Sequence, residues 1–128
     1  MTKIMIVDND KNTAETIKTA LEAEGYQTVT AYGGQECLNM LKKVKIDLIL
    51  LDIMMPEVDG IQVATKLSED SELKKVPIIV ISALPIESSQ FANKRLGGGN
   101  FPNVKDMMEK PFEIDELIEK VKGVLSKT

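Results

Sequence analysis

The most constraining feature of this sequence is the short apolar run 48–51, Leu-Ile-Leu-Leu, which ends abruptly at the carboxylate of Asp52. A proline and an Asp-Gly pair follow within residues 54–60 and prevent a regular continuation. An unbroken apolar run with such a boundary is typical of a strand buried on both faces, as in parallel sheets. A charge at the end of a buried strand is costly unless other groups compensate it. Asp52 is therefore the candidate reacting group, and we expect the remaining chain to build its site.

Strand-like and helix-like patterns alternate along the whole chain. The predicted strands are residues 3–7, 26–31, 47–51, 78–81 and 105–108, and the predicted helices are residues 11–24, a segment from Gly33-Gly34 to Val44, and residues 61–68, 86–96 and 114–126. Asp10 and Asp59 are predicted N-caps, and Gly25 a predicted helix end. The alternation predicts one α/β domain over residues 1–128, a doubly wound, flavodoxin-like (βα)5 fold with five parallel strands in the order 2-1-3-4-5.

This topology brings distant polar residues to one edge of the sheet. Asp8 and Asp52 follow the first and third predicted strands, and the ligand crevice of such a fold lies where these two strands diverge. Ser82 and Lys110 follow the fourth and fifth strands, so we expect them at the same rim. Each of these residues alone would be an ordinary turn, cap or surface residue. Their convergence predicts a site with two carboxylates, a hydroxyl and an ammonium group.

The composition excludes several kinds of chemistry. The chain has no histidine, which rules out serine–histidine and cysteine–histidine mechanisms, a histidine zinc site and a phosphohistidine on this chain. A metal site would need oxygen ligands, which favour magnesium, calcium or manganese. The single cysteine, Cys37, lies on an apolar helical stripe and is interpreted as a buried, inert thiol.

Charge and hydropathy also limit the expected partners and location. The net charge of −4 and the lack of a clustered basic run argue against direct nucleic-acid binding. The first residues enter a strand pattern directly, and no apolar run is long enough to span a membrane. We therefore expect a soluble, cytoplasmic protein that does not bind membranes.

Four motifs together resemble the response-regulator receiver domain of two-component systems. They are VDND after the first strand, LLDIMMPEVDG around Asp52, ISA at the fourth strand and EKPF after the fifth, and each falls at a strand end. The resemblance covers nearly the whole chain. It implies a signalling domain, not an enzyme in the usual sense, which assists its own phosphorylation and dephosphorylation. Asp52 would accept a phosphoryl group from the phosphohistidine of a sensor histidine kinase or a histidine phosphotransfer protein.

The resemblance also implies a role for each neighbouring residue. Magnesium, or manganese or calcium in its place, would be held by Asp8, Asn9, Asp52 and the backbone carbonyl of Met54. Lys110 and Ser82 would contact phosphoryl oxygens, and the backbone N–H groups of Met54 and Ala83 would complete the cradle. The phosphorylated domain would bind a downstream protein, as a monomer or as a weak dimer through the predicted fourth helix, fifth strand and fifth helix.

The sequence departs from the family pattern at several positions. Asn9 stands where the family usually has a second acidic residue, which predicts weakened magnesium binding unless Asp10 turns inward. Met107 stands where the family often has Tyr or Phe, and a thioether gives no aromatic rotamer switch. The segment Gly97 to Asn103 looks longer than usual. Met54 and Leu84 are both apolar and cannot orient a water molecule, which predicts slow autodephosphorylation.

Three other interpretations compete with a phosphorylated receiver. A haloacid-dehalogenase-like phosphatase would use Asp8 as nucleophile and Asp10 as general acid, but it leaves Asp52 unexplained. A calcium-binding loop starting at Asp8 fails, because Thr13 and Thr19 replace the required Gly and Glu. A degenerate receiver that folds and docks without being phosphorylated stays open, because Asn9 and Met107 favour it while Asp52, Ser82 and Lys110 oppose it.

Overall fold

The computed structural model describes residues 2–53, 60–82 and 103–127, with the side chains of residues 60 and 61 excepted. Five parallel strands form one sheet in the order β2-β1-β3-β4-β5, which confirms the predicted topology. The strands are β1 (Lys3–Val7), β2 (Gln27–Ala31), β3 (Leu48–Asp52), β4 (Ile78–Ser82) and β5 (Val104–Glu109). The helices are α1 (Lys11–Ala23), α2 (Gly34–Leu41), α3 (Gly60–Glu69) and α4 (Ile114–Ser126), with a 3-10 turn at Leu73–Lys75.

The sheet separates two apolar clusters, one on each face. Alternate residues of β3 point to opposite clusters: Leu48 and Leu50 pack with α1 and α4, whereas Ile49 and Leu51 pack with α2 and α3. All five residues of β3 are buried, because helices cover the central strand on both sides. The continuous apolar run of the sequence thus reflects a strand with no solvent-facing side.

Several element ends differ from the sequence prediction by one to three residues. Strand β2 begins at Gln27, because the N–H of Tyr26 is used to close α1 by bonding to the carbonyl of Leu21 at 3.2 Å. Helix α2 ends at Leu41, before Val44, because the N–H groups of Lys43 and Val44 both bond to the carbonyl of Met40. Helix α4 spans Ile114–Ser126 as predicted. The predicted helix over residues 86–96 and the N-cap Asp59 lie outside the described residues.

The start of β5 is irregular and is fixed by Asn103. The register with β4 shifts by one residue after Ile78, so that Ile78 pairs with Val104 but Ile79 pairs with Asp106. The backbone carbonyl of Asn103 accepts from the N–H of Ile78 at 2.8 Å, and its side-chain Nδ2 donates to the carbonyl of Val76 at 3.2 Å. The buried residue Asn103 therefore links the start of β5 to the start of β4.

Candidate functional site

The first carboxylate of the site, Asp8, follows the last residue of β1. Its N–H donates to the carbonyl of Ala31 at 3.1 Å, which continues the pairing of β1 with β2 by one more bond. Its Oδ1 accepts from the N–H of Asp10 at 2.9 Å, so the carboxylate is oriented by the loop that follows it. The residue is only 2% exposed. Asp8 is thus a buried, fixed carboxylate at the carboxyl edge of the sheet.

The second carboxylate, Asp52, is the last residue of β3 and is 3% exposed. In the register it lies opposite Ile81 of β4, and the next N–H, that of Ile53, donates to the carbonyl of Ile81 at 3.1 Å. Pairing on both sides of the central strand therefore holds the backbone under Asp52. A side chain mounted on a rigid strand end is held in a fixed position.

Lys110 joins the two carboxylates. Its Nζ lies 3.0 Å from Oδ2 of Asp8 and 3.4 Å from Oδ2 of Asp52. The backbone N–H of Lys110 donates to the carbonyl of Ser82 at 2.8 Å, which anchors the base of the side chain next to β4. Asp8 and Asp52 thus both contact the ammonium group of Lys110, although they lie 102 and 58 positions away from it in sequence.

The environment keeps Lys110 charged. Burial by itself lowers the pKa of the ammonium group, but the hydrogen bond to Asp8 and the negative charge of Asp52 outweigh burial, and the net pKa is raised. The lysine is therefore a permanent cation at neutral pH. It lies between two buried carboxylates and balances part of their negative charge.

Ser82 is the last residue of β4. It lies at the same rim as the two carboxylates and is fully buried. It pairs in register with Glu109, the residue before Lys110, so the hydroxyl and ammonium groups come from neighbouring strand ends. The structure therefore places Asp8, Asp52, Ser82 and Lys110 at one edge of the sheet. Ala83, Met54 and Leu84 lie outside the described residues.

Asn9 and Asp10 do not add a further carboxylate to the crevice. Asn9 is exposed. The Oδ1 of Asp10 accepts from the N–H groups of Asn12 and Thr13 at 3.0 and 3.3 Å, so Asp10 caps α1, as predicted. These bonds, that to Thr13 first, lower the pKa of its carboxyl group. The same engagement leaves Asp10 poorly placed as the general acid of a phosphatase.

The donor chemistry of the rim fits a magnesium ion. Among the described residues there is no group of three or more carboxylate, histidine or cysteine side chains that could enclose a metal. Mg²⁺, however, usually keeps several waters and is bound through one or two carboxylates together with phosphate oxygens. Asp8 and Asp52 supply two buried carboxylates, and Asn9, the residue after Asp8, is exposed and uncharged.

One contact at the rim and one core residue were not anticipated in this form. The family resemblance predicts a contact of Lys110 with a phosphoryl oxygen, but nothing in the sequence indicates its bond to Asp8, because β1 and β5 are not neighbours in the sheet. Met107 is buried in the apolar cluster under α2 and α3.

Within the described residues no helix combines the length and hydropathy needed to cross a bilayer.

Comparison with known proteins gives a consistent result. A sequence model of the response regulator receiver domain matches residues 4–122. The chain is 31% identical to the polar-differentiation response regulator DivK of Brucella anthropi, over 95% of this chain and 94% of that protein. It is 35% identical to the probable transcriptional regulator ycf27 of Guillardia theta, over 98% of this chain but only 46% of that protein. The chain thus spans about half the length of this relative.

Solved structures agree. The receiver domain of the Francisella response regulator 1452 superposes with a TM-score of 0.84 at 32% identity, covering 99% of this chain and 98% of that one. The response regulator TrrA of Thermotoga maritima, solved in complex with Mg(2+)-BeF, superposes with a TM-score of 0.80 at 32% identity, covering 96% of this chain and 98% of that one. With this fold and these strand-end residues, the chain belongs to the response regulator receiver domain family.

Proposed function

We propose that this domain accepts a phosphoryl group on Asp52 from the phosphohistidine of a partner protein and thereby changes the surface it presents to a downstream protein. The observation that carries the proposal is the Lys110 ammonium between two buried carboxylates from different strands. Such a cation neutralises charge that gathers on phosphoryl oxygens. The donor histidine must come from a partner, because this chain has none.

The chemical step follows from these positions. A carboxylate oxygen of Asp52 attacks phosphorus, the new O–P bond forms, and the P–N bond of the partner's phosphohistidine breaks with its electron pair returning to the imidazole nitrogen. Lys110 balances charge on one phosphoryl oxygen, and the Ser82 hydroxyl donates to another. Asp8, Asn9, Asp52 and the Met54 carbonyl would hold Mg²⁺, which supplies neutralisation of the phosphoryl charge when bound.

The same proposal covers the partners, the rate of phosphate loss and the transmission of the surface change. The partners are a sensor histidine kinase or a histidine phosphotransfer protein and one downstream protein, and the domain works in the cytoplasm as a single unit over residues 1–128. Met54 and Leu84 leave the phosphoaspartate without a side chain that orients water, so loss of phosphate is slow. Met107 fills its buried position without an aromatic switch, so the surface change is transmitted by other contacts.

The test is incubation with acetyl phosphate and magnesium chloride, followed by intact mass and peptide mapping. We expect one phosphoryl group on Asp52, which is lost in Asp52→Ala and retained in Asp115→Ala, an exposed carboxylate on α4. Label on Asp8 would support the phosphatase mechanism instead. No label in a folded protein, with a partner phosphohistidine also tried as donor, would favour the degenerate receiver that the exposed, uncharged Asn9 suggests.

A further inference from the structure

A lysine-rimmed groove lies at the opposite edge of the sheet from Asp52. It opens between the link from α2 to β3 and the link from the 3-10 turn to β4, with a volume of about 820 Å³. Thr2 and Leu125 also line it. Since β3 and β4 both begin here, this amino-edge groove is far from the carboxyl-edge rim that carries the phospho-accepting site.

The rim of the amino-edge groove is positive although the chain is not. Lys42, Lys43, Lys45 and Lys75 line it and are exposed, and Lys74, the exposed neighbour of Lys75 in sequence, is not part of the lining. Each sequence segment holds only two or three lysines, and the fold brings the two segments together. The whole chain has a net charge of −4, so the groove has a local charge opposite to that of the molecule.

The nearby carboxylates leave these lysines unpaired. Asp47 accepts the N–H of Lys3 at 2.8 Å, and Asp70 accepts the N–H groups of Glu72 and Leu73 at 2.8 and 3.0 Å. Within the described part of the chain, none of the five lysines forms an ion pair. Asp47 and Glu72 also line the groove, so its four lysines outnumber its carboxylates by two, and this excess of positive charge favours an anionic partner.

The floor of the groove decides between kinds of anionic partner. The apolar part of the lining is formed by residues that are buried or half-buried: Leu41, Val44, Ile46, Leu73, Val76 and Pro77. Nucleic acid would use phosphate contacts and aromatic stacking, and no aromatic residue among those that the structure describes lines the groove. A protein segment that carries acidic side chains on both sides of an apolar anchor complements both the rim and the floor.

We propose that the amino-edge groove is a docking site for an acidic protein segment with an apolar anchor, in addition to the phospho-accepting site. The segment's carboxylates pair with the lysines of the rim, and its anchor is buried against the floor. Because the site lies at the opposite edge from Asp52, docking does not obstruct access to the crevice. The domain can therefore be held by one partner while it exchanges phosphoryl groups with another.

The test uses the full chain without phosphorylation and a synthetic dodecapeptide of Glu and Asp with a central Leu-Leu pair. We expect amide chemical shifts to change at residues 41–47 and 72–76, with no change at residues 8–10, 110 and 112. The triple variant Lys42→Glu, Lys43→Glu, Lys75→Glu should weaken binding at least tenfold. The matched variant Lys11→Glu, Lys18→Glu, Lys122→Glu changes the net charge equally and should bind nearly as well as the native chain.

Three results would overturn the proposal. Equal weakening in both triple variants, with native melting temperatures, would mean that binding follows net charge alone. Unchanged affinity for a peptide whose Leu-Leu pair is replaced by Ser-Ser would mean that the floor takes no part. Tighter binding of a dT12 oligonucleotide or of phosphatidylserine vesicles through the same three lysines would assign the groove to a different class of ligand.

Discussion

At the scale of single residues, Asn9 sets the number of carboxylates that the proposed Mg²⁺ site can use. We expect Asn9→Asp to lower the Kd for Mg²⁺ by roughly tenfold, since two unit charges about 4 Å apart interact by about 1 kcal/mol even in bulk water and the ion carries two charges. Part of this gain is offset by repulsion from the buried carboxylates of Asp8 and Asp52. Isothermal titration calorimetry at fixed ionic strength measures the change.

The control for this prediction is Asn39→Asp on helix α2. Asn39 is also an exposed asparagine, and its Oδ1 accepts from Nε2 of Gln35, remote from the crevice. This variant adds the same charge and should leave the Kd for Mg²⁺ unchanged. An affinity in Asn9→Asp no tighter than in the native chain would show that position 9 does not contribute to the metal site.

The residue-scale arrangement was only partly predictable from the sequence. Asp8, Asp52 and Ser82 are fixed by strand ends, so the strand pattern and the topology were enough to bring them together. The bond from Lys110 to Asp8 depends on the path of a flexible four-carbon side chain across two intervening strands. The lysines of the amino-edge groove were missed for a related reason, because neither short basic segment is conspicuous until the fold places both at one opening.

At the scale of elements, Gly25 ends helix α1 in a conformation that disfavours a side chain. Its φ is +93°, its N–H donates to the carbonyl of Glu22 at 3.0 Å, and the next N–H donates to the carbonyl of Leu21. A Cβ at Gly25 would meet no atom within 4 Å, so strain in the backbone alone decides the effect. We expect Gly25→Ala to lower the free energy of unfolding by about 1 kcal/mol, measured by urea denaturation.

Gly123 provides the matched control within helix α4. A Cβ there would also meet no atom within 4 Å, and the residue lies inside a regular helix. Alanine is favoured over glycine in a helix by about 1 kcal/mol, so Gly123→Ala should be neutral or stabilising. Destabilisation of both variants to the same extent would mean that the left-handed turn after α1 is not the cause.

The start of α1 should make stability depend on pH through Asp10. Its carboxylate caps the helix, and the bonds to Thr13 and Asn12 lower its pKa from 3.8. A lowered folded-state pKa stabilises the protein above the unfolded value, and this stabilisation is lost as pH falls through the folded value. We expect Asp10→Ala to melt at a lower temperature than the native chain at pH 7, with the difference shrinking below about pH 3.8.

The corresponding control is Glu113→Ala at the N-cap of α4. Glu113 occupies the same position relative to its helix, but its side chain makes no capping hydrogen bond. Its removal should leave the melting temperature nearly unchanged at both pH values. A pH-independent difference between the native chain and Asp10→Ala would contradict the role of the ionised carboxylate.

Element boundaries were less predictable than element types, and the reasons are local. The periodicity of α4 runs unbroken to Ser126, and its predicted span is confirmed. Val44 fits the apolar stripe of α2 and packs against the core, yet it lies beyond the end of the helix, because an apolar residue can cover the core from a turn as well as from a helix. The register shift at Ile78 depends on pairing between strands, which no single segment encodes.

At the scale of the whole molecule, both faces of the sheet contribute to the position of the site. Asp52 ends a strand whose alternate residues belong to two different clusters, and Asp8 follows a strand divided in the same way. Lys122 of α4 pairs with Glu24 after α1 at 2.7 Å, which links the helices of one face at their exposed ends. The crevice is therefore held by the complete sheet and both helical layers, and we expect it to be lost only when the domain unfolds.

The reactivity of Cys37 can test whether the domain unfolds as one unit. Cys37 is a fully buried residue of α2, and its Sγ lies 3.6 Å from Sδ of Met5. Burial, with a smaller contribution from Glu36, raises the pKa of the thiol to about 12, so the folded protein has almost no thiolate at pH 8.

Domains of this kind unfold with free energies of about 5 kcal/mol or more, so labelling of Cys37 by Ellman's reagent should be slowed at least a thousandfold relative to the unfolded chain. A Cys37→Ala, Asn39→Cys variant, with an exposed thiol two residues along the same helix, should react at once. Fast labelling of native Cys37 would mean that α2 opens independently, and the crevice would then rest on a less cooperative framework than the two-sided core indicates.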